Sequence, residues 1–175
     1  MSEINGQNSS EESAIKNQLR IEIDATCKDF HQLLAEVPEE MLETPSLNPD
    51  WTIREMLYHM SLAPRNLPTD VRMIRHLKRV PKLPTGPFNR LNSYLTRRGA
   101  RNLGKPALAA KYDEAHARTM AALESVKDEE WNFGVDYPDW DPMLSGFVSL
   151  ERLFHYIRLH FEAHAEEISA SLKSN

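Results

Sequence analysis

The residues best equipped for chemistry in this sequence are three histidines. His160 and His164 are spaced i,i+4, so on a helix their rings stand one turn apart on one face. His59 lies in a distant segment. All three fall where the apolar repeat of the surrounding residues calls for Leu, Ile or Val. A buried imidazole left unpaired costs about 1–3 kcal/mol, so each needs a hydrogen-bond partner or a metal ion. An i,i+4 pair completed by a third His from a facing helix suits Zn²⁺, Ni²⁺ or a neighbouring first-row ion. Three neutral imidazoles also leave coordination positions open for a reactant, which is the mark of a catalytic rather than a structural site. A lone core histidine is usually a hydrogen-bonded structural residue, so the expectation of a metal rests on the three together.

The remaining histidines, His31, His76, His116 and His155, flank the apolar seams and are expected at the surface or its boundary. Residues 160–164 read His-Phe-Glu-Ala-His, but the zinc-protease pattern places its acid directly after the first His. Glu162 stands about 200° around the helix from His160, so that class of protease is not expected. No phosphate-cradling glycine loop and no nucleophile elbow occurs. Cys27 sits on an apolar seam and reads as a small buried hydrophobe. Glu55 and Tyr156, each one turn before a histidine, are candidates to orient a ligand or move a proton, although helix capping is the first role for Glu55.

The elements that must position these residues are helices. Ile23, Cys27, Phe30, Leu34 and Val37 recur in threes and fours, predicting a first helix that ends at Pro38. Thr52 and Glu55 form a capping box, with Trp51 and Met56 as its hydrophobic staple, and the seam runs from Met56 through His59 to Ile74. Pro64 and Pro68 lie within this run, so the second helix is expected to kink or break there. Residues 80–105 hold Pro81, Pro84, Pro87, Gly86, Gly99 and Gly104 without a helical period, and read as a long connection with little structure of its own. Pro106 opens a third helix over Leu108–Val126, and Ser149 caps a fourth that carries His160 and His164. No strand pattern is evident. If the second and fourth helices run antiparallel, His59 and His164 lie at the same depth, each roughly 10 Å from a helix end at 1.5 Å per residue. The expected architecture is an all-α four-helix bundle over residues 17–175, preceded by a disordered tail over residues 1–16.

Composition bounds the setting. The chain has 175 residues, 41% hydrophobic and 27% charged, with a single cysteine. That argues for one ordinary domain and against a disulfide-stapled scaffold. No apolar run approaches a membrane span, and the polar, acidic first residues lack the apolar stretch of a signal peptide, so a cytoplasmic location is expected. The net charge of −5 hides an asymmetry: residues 65–105 carry +10, while 1–64 carry −8 and 106–175 carry −7. The basic segment could face an anionic substrate or the acidic remainder of the same molecule. Nucleic acid is not expected, since Phe88 and Tyr94 are the segment's only aromatics available for stacking.

The Trp-Thr-Ile-Arg-Glu helix start leading to His59, and the Leu153–Ile168 helix carrying His160-x-x-x-His164, together resemble the DinB/YfiT-like family of metalloenzymes, over roughly residues 17–173. The resemblance implies an up-down-down-up four-helix bundle with a long crossover between helices two and three, which the 80–105 segment would supply. It implies a histidine triad of metal ligands, His59, His160 and His164, holding zinc or nickel. It further implies a thiol-dependent S-transferase or a hydrolase acting on a small molecule, with a low-molecular-weight thiol as possible cofactor, and a homodimer as in several members. A glutathione- or bacillithiol-like thiol carries carboxylates that the basic segment could attract. The alternative reading is a non-catalytic bundle that binds a metal or small ligand.

Overall fold

Residues 4–80 and 83–174 are described in the computed structural model, and helices dominate them. Helix α1 spans Ile4–Glu36 and ends before Pro38. It therefore starts inside the stretch expected to be a disordered tail; residues 1–3 lie outside the described residues. Ile15 and Leu19 already pack on the core, and the Glu, Gln and Ala residues before them are good helix formers that need no buried face.

The second helical run is two helices, α2 (Ile53–Met60) and α3 (Leu62–Arg72). Thr52 caps α2 with the expected box: the Glu55 amide donates to Thr52 Oγ1 at 3.3 Å and the Thr52 amide to Glu55 Oε2 at 2.9 Å. The break falls at Ser61 because Pro64 has no N–H for the Met60 carbonyl and its ring crowds that carbonyl. Pro68 likewise frees the Pro64 carbonyl, which instead accepts from Thr119 Oγ1 at 2.8 Å. The second proline thus turns a lost helix bond into a buried cross-helix one. A π-helical turn over Met73–Leu77 ends the run.

Residues 80–105 are not the structureless connection expected: α4 spans Thr85–Ala100. Its apolar side chains Leu91, Tyr94 and Leu95 are about half exposed, so there was no buried stripe to read. It lies against α2 at Gly99, where a Cβ would come within 2.2 Å of the Tyr58 ring, and Ser93 Oγ accepts from Trp51 Nε1 at 3.2 Å. Helix α5 spans Lys105–Ser125 with Pro106 in its first turn, and α6 spans Leu150–Ser174 with the Arg152 amide donating to the Ser149 cap. Between them lies an antiparallel hairpin, β1 (Gly134–Tyr137) and β2 (Gly146–Ser149), where no strand was expected. Strands of four residues alternate too briefly to register as a period.

Side-chain pairs fix the direction of each helix. Arg20 pairs with Glu124, while Lys105 Nζ donates to the Val37 carbonyl, so α1 and α5 are antiparallel. Glu22 pairs with His155 and Asp29 with Arg158, so α1 and α6 are parallel. Thr119 reaches Pro64, and Arg75 pairs with Glu130 beyond the end of α5, so α3 and α5 are parallel. Helix α1 packs on α5 and α6, and α2–α3 packs on the same two, which makes a four-cornered bundle with α1 diagonal to α2–α3. The path is up-down-down-up, with α4 in the crossover.

The apolar interior divides into two clusters. Leu153, Phe154 and Ile157 of α6 belong to one, and Phe161 and Ile168 to the other. His160 lies on α6 between them.

Candidate metal centre

The antiparallel course of α2–α3 and α6 brings His59, His160 and His164 together, with one ring nitrogen of each within 4.8 Å of the others. Ring centroids are 5.0 Å apart for His59–His160 and for His59–His164, and 4.6 Å for His160–His164. His160 is buried, and the other two are partly so. Burial, followed by the charge of His164, lowers the His59 pKa to about 3; burial, then the other two rings, holds His160 well below the ordinary histidine value. Both rings are neutral at physiological pH and offer lone pairs.

Three observations fit this site to a cation. His59 Nε2 and His160 Nε2 are 3.2 Å apart, and two ligands of one tetrahedral ion with bonds of about 2.0–2.1 Å stand roughly 3.3 Å apart. His164 Nδ1 is 3.0 Å from Glu167 Oε2. An ionised carboxylate only accepts, so Nδ1–H donates and Nε2 is left with the lone pair, an arrangement typical of a metal-bound histidine and its outer carboxylate. His59 Nδ1 is buried with no hydrogen-bond partner, and the Trp51 ring packs on His59 at 4.4 Å. Desolvated ring nitrogens are costly when left unpaired, and a lone pair without a donor beside it is satisfied by a cation.

Beside the triad, on the His59 and His160 side, opens a cavity of about 370 Å³. Helix α3 supplies Asn66 and Asp70, α4 supplies Phe88 and Asn92, and the hairpin region supplies Trp140 and Asp141. Phe88 and Trp140 stack at 4.3 Å, and Trp140 Nε1 donates to the Leu83 carbonyl at 2.6 Å, closing the crossover onto the hairpin. Tyr156, one turn before His160, donates to Asp141 Oδ2 at 2.5 Å, and its ring lies 5.4 Å from His160. Burial, then Asp141, holds its phenol well above the ordinary value. Glu55 is occupied in the capping box.

The basic segment does not serve this cavity. Among the described residues no Lys or Arg lines it. Three of the segment's charges are spent on structure: Arg75 on Glu130 and Ser125, Arg97 on Asp50, and Lys105 on the end of α1. Of the two roles open to the segment, contacts within its own molecule account for these three residues.

The other histidines are at the boundary as expected. His155 pairs with Glu22 at 3.0 Å, His116 with Asp24 at 2.9 Å and His31 with Asp113 at 2.7 Å, while His76 is exposed. Cys27 is only half-buried, with Sγ 3.9 Å from Asp113 Oδ1, which makes Cys27, His31 and Asp113 a second compact cluster. Burial, then Asp113 and Asp24, pushes its thiol up to about 11, so it stays protonated. Sequence reading missed Glu167, although its i+3 offset from His164 was there to see. It also missed Asp70, Tyr137, Trp140 and Asp141, which converge only once α3, the hairpin and α6 are in place.

Fold and site together define a helical bundle with a histidine centre beside a small-molecule cavity. The chain belongs to the family of the mycothiol maleylpyruvate isomerase N-terminal domain, whose model matches residues 23–155, and so to the DinB/YfiT-like proteins. The matched stretch holds His59 and ends before His160. Among solved structures, the mycothiol-dependent maleylpyruvate isomerase is similar at 14% identity and a TM-score of 0.67, covering 87% of this chain and 60% of that one. The chain thus spans 60% of the length of that relative. YfiT from Bacillus subtilis, described as a probable metal-dependent hydrolase with an unusual four-helix bundle topology, is similar at 18% identity and a TM-score of 0.65, covering 90% of this chain and 87% of that one. No curated protein sequence matches. Among the described residues no helix is long and apolar enough to cross a membrane.

Proposed function

We propose that this chain is a metal-dependent enzyme in which His59, His160 and His164 hold one divalent first-row ion, zinc or nickel, against the adjoining cavity. The observation that carries the reading is the triad itself: three ring nitrogens within 4.8 Å, two of the rings held neutral by burial, facing a cavity of about 370 Å³. When bound, such an ion supplies Lewis acidity, polarising a substrate carbonyl or bringing a bound water or thiol to ionise near neutrality. The chain's own residues do the rest. Glu167 fixes the tautomer of His164, Trp51 holds the plane of His59, and the apolar clusters on either side keep water from the rings. Tyr156, tied to Asp141, stands where a substrate next to His160 would meet a hydroxyl.

The reaction class is hydrolytic or thiol-dependent transfer on a small molecule; of the relatives, one is described as a probable metal-dependent hydrolase and one as a mycothiol-dependent isomerase. We place the protein in the cytoplasm, with a homodimer as its expected assembly. Elemental analysis of protein purified without chelator tests the reading: about one divalent ion per chain is expected in the wild type and none in the His160→Ala/His164→Ala variant. No bound ion in either after incubation with zinc and nickel would overturn it.

A further inference from the structure

The wall of the cavity has an unusual chemistry for a site meant to hold an anion. Asp70, Asp141, Tyr137 and Tyr156 form one cluster around it, close enough that Asp70, Asp141 and Tyr137 all raise the Tyr156 phenol. Asp141 is satisfied by Tyr156 and by the Met143 amide at 2.8 Å. Asp70 has no such set. Burial raises its carboxyl to about 6, against a smaller lowering by the Tyr137 hydroxyl, and no cation adds to that lowering. The Tyr137 hydroxyl is buried, with only 7% of the residue exposed, and faces Asp70 as its hydrogen-bond donor, which leaves the rest of the carboxylate's acceptor capacity free. The remaining wall is aromatic, with Trp140 stacked flat on Phe88 and pinned through its indole N–H. Among the described residues the lining has neither Lys nor Arg.

Carboxylates with spare acceptor capacity and fixed aromatic faces are complementary to a cation, whereas a carboxylate brought to the Asp70 end of this space would meet like charge with no Lys or Arg beside it. We propose that the cavity takes a small amine: its protonated nitrogen lies between Asp70 and the Trp140 and Tyr156 rings, and its body extends toward His59 and His160. This rests on the metal-centre reading for which end of the substrate reacts, but not for the recognition itself. It sets this chain apart from a site for a dicarboxylate such as the substrate for which its isomerase relative is named.

Calorimetric titration with three near-isosteric probes, benzylamine, benzyl alcohol and benzoate, tests it on zinc-loaded and metal-free protein. Benzylamine should bind the metal-free protein most tightly of the three, and should still bind when zinc is present. The Asp70→Asn variant should weaken benzylamine about ten- to a hundredfold, the worth of one charge-assisted hydrogen bond, and leave benzyl alcohol unchanged. Benzoate binding metal-free protein as tightly as benzylamine, no binding of benzylamine, or an Asp70→Asn variant that binds it normally would overturn the proposal. A preference for benzylamine seen only with zinc would place the amine on the ion and overturn it too. Metal content is measured separately, so its absence would defeat the metal reading while leaving the amine preference to stand or fall on the metal-free titrations.

Discussion

His160 and His164 on α6 face His59 on α2; Cys27 and His31 on α1 face Asp113 on α5. Both clusters are i,i+4 pairs completed from a neighbouring helix, and in both the ligand atoms lie within 4.8 Å of one another. Their surroundings differ. In the second cluster Asp113 pairs directly with His31 at 2.7 Å, and both side chains are exposed, 41% for His31 and 56% for Asp113. In the first, the only carboxylate is Glu167, behind His164, and His59 and His160 face each other and a cavity. A histidine with its own carboxylate in water is already satisfied, whereas the His59 and His160 rings, held out of water, have only each other. Ligand geometry is common to both clusters, and burial against a cavity, with no carboxylate on His59 or His160, is the feature that separates them.

The largest expected effect follows directly. His59→Ala should weaken zinc binding, read by competition with a chromophoric chelator, well beyond the 10–100-fold that losing an outer partner costs, whereas His31→Ala should leave it unchanged. Tight binding lost in His31→Ala instead would reverse the ranking. Next comes the outer shell. Glu167→Gln keeps a hydrogen-bond acceptor but removes the charge behind His164, and should cost about 10–100-fold in zinc affinity, while Asp113→Asn costs nothing.

The clusters should also fail at opposite ends of the pH scale. His59 in the unfolded chain takes up a proton near 6.5 but in the folded protein not until about 3. Falling pH therefore favours the unfolded state across that window, by up to about 1.4 kcal/mol per pH unit for each such histidine, and stability is flat above 6.5 as far as these rings are concerned. Denaturant midpoints of metal-free protein should drop from pH 6.5 toward 4, and less so in a His59→Leu variant. Cys27 titrates near 9.0 unfolded and at about 11 folded, so it weakens the fold only as pH rises through that range. The smallest effect is Cys27→Ser. It should remove the alkaline decline, shift stability at neutral pH within about 0.5 kcal/mol, and leave metal content untouched.

How much of this was legible in the sequence depends on whether a residue's role is written into its own helix. The seams of α1, α2, α5 and α6, the Thr52–Glu55 box, the break near Pro64 and the three histidines all follow from spacing within one segment, and the antiparallel depth match of His59 and His164 needed only helix rise. Helix α4 was not legible, because it is held by scattered contacts, such as Gly99 on Tyr58, Ser93 on Trp51 and Phe88 on Trp140, rather than by a buried apolar stripe. The hairpin was too short to show alternation. The cavity wall was illegible for a different reason: Asp70 of α3, Phe88 of α4, and Trp140 and Asp141 of the hairpin connection are far apart in sequence and become neighbours only through the tertiary fold. The charge of residues 65–105 was legible, but not its use, since Arg75 and Arg97 look alike in sequence whether they face a ligand or Glu130 and Asp50.

X-ray absorption at the zinc edge of the zinc-loaded protein tests the central claim most directly. Nitrogen scatterers at about 2.0–2.1 Å with imidazole shells, and no sulfur, are predicted for an ion held by His59, His160 and His164. A sulfur scatterer at about 2.3 Å would place the ion on Cys27 and contradict the account.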